Sequence, residues 1–309
     1  AQALNALGDI DQDQGEYDAA TRNHKISLKL FREIGDMHGA TNALTDLGRT
    51  AQSLGKYADA KARYHEALRI CRENNNHNGI VECLGFLGNV SEQEGKFDEA
   101  NKYYEEALAI IRNFGDYSRI AGMLDNLGNI SQRKGDFPAA QIYFSESLTI
   151  YRRINNELGA ALVLGNLGNI ALQQMNIMTA LAYCEESLEI FRQIGNRLGM
   201  AFSLNSLGNI ALAEEKIEIA REHYQEALQI CQDSGVRGGI ATGYSHLAWV
   251  EEKDNDYFTA REYYRSALAI HREMGDREKT ARVLISMAFT EIALDNLTPV
   301  EGLLQTALE

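Results

Sequence analysis

The sequence repeats itself every 40 residues. "LGNV" spans 87–90, "LGNIS" spans 127–131, and "LGNIA" spans 167–171 and again 207–211. Laid out in steps of 40, the 309 residues align without an insertion or deletion. A period of this length marks an array of small stacked units, so counting domains by chain length does not apply.

The columns of the alignment describe the unit. The first anchor reads Gly8, Gly48, Gly88, Gly128, Gly168, Gly208, then Ala248 and Ala288, each preceded by Leu or, at the end, by Met287. Twelve residues on stand Ala20, Ala60, Ala100, Ala140, Ala180, Ala220, Ala260 and Val300. Four further on come His24, Tyr64, Tyr104, Phe144, Cys184, Tyr224, Tyr264 and Leu304. A small residue (Ser27, Ala67, Ala107 and their equivalents) and a Leu follow. Spacings of three, four and seven put such residues on one helix face, and each unit carries two such faces. Each unit is therefore expected to be a helix pair. Gly or Ala at a crossing lets two axes approach without a Cβ collision, and the bulky ring one turn away fills the space beside it.

The punctuation is as regular. The loop column Gly35, Asn75, Gly115, Asn155, Gly195, Gly235, Gly275 holds only Gly and Asn, which tolerate the left-handed conformation that ends a helix. The next residue is Asp36, Asn76, Asp116, Asn156, Asn196, Val236 or Asp276, and all but Val236 can cap the following helix. In the second unit this predicts helices at 37–53 and 57–73. Inside the units Gly15, Gly55, Gly95 and Gly135 mark a second turn. Met175 and Glu215 replace that Gly, so a different turn is expected there. One pair cannot bury its own apolar face, and its stability must come from its neighbours.

These columns resemble the tetratricopeptide repeat (TPR) family: a small residue after Leu in the first helix, then Ala, an aromatic and Ala in the second. The resemblance covers essentially residues 1–309. The unit departs from the usual one of about 34 residues by about six extra residues around the Gly-Asp loop, and it lacks the Pro that commonly ends the second helix. The 40-residue form is similar to the repeats of LGN/Pins-type polarity scaffolds, kinesin light chains and the TPR arms of MalT-like bacterial regulators. The resemblance implies an all-α, right-handed α-solenoid of about eight helix-turn-helix units, at 1–36, 37–76, 77–116, 117–156, 157–196, 197–236, 237–276 and 277–309. Together these form a single repeat domain whose first helices line a concave groove.

The residue after the anchor Gly sits about 100° further round the first helix and is expected to face that groove. This column reads Asp9, Arg49, Asn89, Asn129, Asn169, Asn209, Trp249 and Phe289. An Asn offers one acceptor and two donors, which match the backbone of an extended peptide whatever its sequence. In LGN-type scaffolds such an Asn ladder is thought to hold an extended partner, and the resemblance implies the same for Asn89, Asn129, Asn169 and Asn209. The same Asn could instead serve repeat stacking, or simply be copied by duplication. Trp249, the only Trp, is a candidate anchor for a partner side chain or a packing residue for the next repeat. Further groove candidates one turn away are Thr45, Asp125, Asn205, Gln52, Glu92 and Gln132, with an apolar stretch at Leu172 and Leu212.

Charge and chemistry narrow the function. A net charge of −14 without a basic run argues against direct nucleic-acid binding and favours a basic or neutral protein or peptide partner. No apolar run approaches the ~20 residues of a membrane span. Cys71, Cys83, Cys184 and Cys231 fall in apolar or small columns and read as buried free thiols, which suits a cytoplasmic location. Cys71, His77 and Cys83 lack a fourth ligand and the tight spacing of a zinc site. No phosphate loop, dinucleotide fingerprint or HExxH is present. No enzyme activity, cofactor or metal is therefore expected. The chain starts in mid-pattern and closes on the apolar "LLQTALE", as a fragment of a longer protein would. Three functions fit: a groove holding an extended partner segment, the sensor arm of a larger signal-transducing ATPase or transcriptional regulator acting on other domains of its own chain, and a ligand-free spacer or oligomerisation element.

Overall fold

A computed structural model of the chain describes residues 1–308. Among them are sixteen helices and no strand. The chain divides into two compact units, Ala1–Ile154 and Asn155–Glu309. The first stacks α1 (Gln2–Asp13) and α2 (Tyr17–Glu33), α3 (Met37–Ser53) and α4 (Tyr57–Glu73), α5 (His77–Gln93) and α6 (Phe97–Arg112), and α7 (Tyr117–Arg133) and α8 (Phe137–Arg153). The second stacks α9 (Glu157–Gln173) and α10 (Ile177–Gln193), α11 (Arg197–Ala213) and α12 (Ile217–Asp233), α13 (Arg237–Lys253) and α14 (Tyr257–Met274), and α15 (Arg277–Ala293) and α16 (Val300–Leu308). Within each unit every helix packs on the next, as in an all-α TPR solenoid of helix-turn-helix units. The helices of the second repeat fall at the bounds expected from the sequence.

The expected caps are in place. Asp36, Asn76, Asp116, Asn156, Asn196 and Asp276 each accept a backbone N–H from three residues on, and Val236 offers no side-chain cap. The expectation of a different inner turn at Met175 and Glu215 is corrected. They hold φ of 60° and 61°, beside 78° at Gly15 and 69° at Gly55. The stack over-determines the turn, and the side chains bear the left-handed strain.

The anchor column works by close approach. A Cβ on Gly48 would lie 2.4 Å from the Tyr64 ring, and one on Gly88 2.4 Å from that of Tyr104. Those rings are fully buried, and burying one contributes ~1.5–3 kcal/mol. Cations on the second helices tie successive pairs together. Lys61 reaches Glu94 and Glu99, and Arg221 reaches Glu251 and Asp254. Outside them runs an exposed chain of ion pairs, Arg32–Glu66, Arg72–Glu106 and Arg112–Glu146, each worth ~0–1 kcal/mol. All four cysteines are buried and free. No helix of the described residues is long and apolar enough to cross a membrane.

Candidate functional site

The Asn column has an intramolecular partner that its spacing did not reveal. The ring of Tyr104 lies against Gly88, which brings its hydroxyl to the next residue, where it donates to Asn89 Oδ1 at 2.5 Å. Tyr224 does the same to Asn209 Oδ1 at 2.7 Å. Burial pushes both phenols above their ordinary pKa, so they stay protonated and donate. With the amide oxygen held inward, the two N–H donors of each Asn face away from the ring. Asn89 is exposed and Asn209 half-buried. Asn129 and Asn169 are half-buried too, but the residues opposite their anchor glycines are Phe144 and Cys184, which offer no hydroxyl. An internal partner for the amide is therefore present at Asn89 and Asn209, and the choice between binding and packing stands open for the column.

The neighbouring candidates divide by what they touch. Arg49 is exposed, with Nη1 3.4 Å from Asp46. Gln52 accepts from Tyr64 Oη at 3.1 Å and donates to Gln93 at 3.0 Å, which ties α3 to α5. Asn205 Oδ1 meets His246 Nδ1 at 3.1 Å and ties α11 to α13. Glu92 pairs with Arg133 across α5 and α7 at 3.3 Å. Thr45 is buried and bonds the backbone of Asn42. Asp125 accepts from Tyr151 at 3.0 Å, and burial pushes its carboxyl up to about 6. Gln132 lies half-buried at the end of α7. Gln52, Glu92 and Asn205 thus bridge repeats, while of the column after the anchor residues Arg49, Asn89, Trp249 and Phe289 are exposed.

Trp249 is 40% exposed and lines a cleft of 490 Å³ between α13, α14 and α15. His246, Tyr264, His271, Lys279 and Arg282 share the lining. Burial holds the His246 imidazole down to about 4, so it is neutral near pH 7. His271 is 2% exposed, and its Nδ1 has no partner among the described residues. Sequence reasoning found Trp249 but not this lining. The available signal was slight: Lys279 stands in a column that is otherwise Gly39, Gly79, Gly159, Gly199 and Gly239, but also Arg119.

Tetratricopeptide repeat family profiles match residues 1–73, 40–113, 80–153 and 159–233, and a second such profile matches 240–274. No curated protein matches the chain. Among solved structures, BtubC (BKLC) from P. vanneervenii is 23% identical with a TM-score of 0.59, over 72% of this chain and 92% of that one. The apo form of the quorum sensor NprR from B. thuringiensis is 13% identical with a TM-score of 0.73, over 99% and 86%. The Rap conjugation gene regulator of plasmid pLS20, solved in complex with the Phr* peptide, is 15% identical with a TM-score of 0.62, over 88% and 74%. At these identities the likeness is one of fold.

Proposed function

Because the chain belongs to the tetratricopeptide repeat family, we propose that it is a binding module that holds an extended segment of a protein partner on its first helices. Asn89 and Asn129 with Arg49 serve the first unit, and Asn169, Asn209 and Trp249 the second. The observation that carries this reading is the amide column itself. Four Asn stand at the same register of successive first helices, and at Asn89 and Asn209 a buried Tyr occupies the amide oxygen and leaves the N–H donors to other acceptors. Such donors suit backbone carbonyls of an extended chain and are indifferent to its side chains. Trp249 beside its cleft then supplies an anchor for one partner side chain. The peptide complex of the pLS20 regulator lends the reading support by likeness of fold.

The test uses a displayed library of random peptides, panned against the whole chain. Replacing Asn129 and Asn169 by Ala removes amides that lack a tyrosine partner. Each lost hydrogen bond costs ~0.5–1.5 kcal/mol, so selected peptides should bind roughly 5- to 150-fold more weakly while the thermal midpoint holds. A lowered midpoint with unchanged affinity would assign the amides to packing and sink the proposal.

A further inference from the structure

Three columns of the array break their pattern together in the first repeats. Position 9 is Asp where four later copies have Asn. Position 24 is His where four copies have Tyr. Position 46 is Asp where the other copies have Ala, Phe, Asn, Ser or His. The fold brings these three residues, from α1, α2 and α3, to one place. Their ligand-type atoms all lie within 4.8 Å of one another, the one such group of three among the described residues. No motif spacing encodes the set, which is why sequence reading missed it.

We propose that Asp9, His24 and Asp46 form a binding site for a divalent first-row transition ion such as zinc. The imidazole of His24 is 0% exposed, and its Nε2 has no partner among the described residues. The group of three includes one nitrogen of this ring, and a buried ring nitrogen left bare is a donor waiting for an acceptor of lone pairs.

The orientation of that nitrogen is built in. Asn5 Nδ2 donates to Asp46 Oδ2 at 2.7 Å, so the amide oxygen of Asn5 is the end that faces His24. It lies 3.1 Å from Nδ1. An amide oxygen only accepts, so Nδ1 carries the proton and Nε2 keeps its lone pair. One side chain thus sets the tautomer of the histidine and the rotamer of a carboxylate, the role outer residues play around bound metals. One imidazole and two carboxylates suit zinc, cobalt or manganese better than calcium or magnesium, which take oxygen alone. Three protein ligands leave a further position for water or a partner's group. Ligand bonds of ~2.0–2.2 Å ask the cluster to draw together somewhat. The exposed Arg49, whose Nη1 is 3.4 Å from Asp46 Oδ1, has room to swing aside.

The experiment titrates the whole metal-free chain with Zn2+ by calorimetry and with Co2+ by its visible absorption, with Ca2+ as the contrasting ion. One tight equivalent of Zn2+ or Co2+, with a thermal midpoint raised by metal and restored by chelator, is expected. Asn5→Ala should weaken it by roughly 10- to 100-fold. His24→Tyr restores the residue of Tyr64 and Tyr104 and should fold at least as well while losing the equivalent, and Asp9→Asn, which keeps the side chain's size and restores the residue of four later copies, should weaken it too. No saturable equivalent in the parent, or an equivalent that survives both His24→Tyr and Asp9→Asn, would overturn the site.

Discussion

Asp125→Asn should stabilise the protein, and more so in alkali than in acid. Burial lifts the Asp125 carboxyl from 3.8 to about 6, against the hydrogen bond from Tyr151 that pulls it back down. The folded state therefore holds this proton more tightly than the unfolded chain does. The site favours folding below pH ~4, loses that contribution as pH rises from ~4 to ~6, and carries a constant penalty above. At ~1.4 kcal/mol per unit, a shift of about two units makes the full penalty roughly 3 kcal/mol near pH 8 and about 1 kcal/mol at pH 4.5. An Asn never ionises, keeps an oxygen for Tyr151, and places an amide where Asp125 Oδ1 has no partner among the described residues. The variant's advantage should shrink by about 2 kcal/mol between pH 8 and pH 4.5. For a unit of this size that is roughly 4–8 °C in thermal midpoint. Melting both proteins by circular dichroism across this range decides it. A variant less stable at pH 8 than at pH 4.5, relative to the parent, would show that Asp125 is stabilising as an anion and that the burial argument is wrong.

Met175→Gly should raise the thermal midpoint slightly. Left-handed strain of ~1–2 kcal/mol is relieved against ~0.5–1 kcal/mol of added chain entropy, and Glu215→Gly should follow it. Tyr224→Phe should cost ~1 kcal/mol of stability by removing the phenol held by Asn209, and should weaken a selected peptide by freeing that amide to rotate, whereas no such coupling should follow from changing Phe144. The thiols should react slowly with a disulfide reagent until denaturant is added, because burial raises all four and pushes Cys184 up to about 12, and prompt labelling of all four in the native state would refute this.

The fold was legible because a repeat states each constraint many times over. One Gly beside one Tyr means little, but six anchor glycines at a fixed register identify a helix crossing, and the capping column sets the helix starts. The same redundancy hid the site. Column averages assign Tyr64, Tyr104 and Tyr224 to gap filling, which is correct for their rings and silent about their hydroxyls. Yet those hydroxyls select an acceptor on the facing helix: Gln52, Asn89 and Asn209 respectively. Met175 misled for the opposite reason. A local preference for Gly was read as a requirement, although packing on both sides of the turn can impose φ of 60° on a side chain that dislikes it. The most informative residues are those that leave their column. His24 keeps the ring-shaped volume that Gly8 demands, with Cε1 2.6 Å from where a Cβ would stand, so packing alone is indifferent to the exchange of phenol for imidazole. What changes is chemistry: a bare nitrogen replaces a hydroxyl exactly where columns 9 and 46 turn to carboxylates. Packing selects shape at such a position, and coincident departures in three columns that meet in space are left for function to explain.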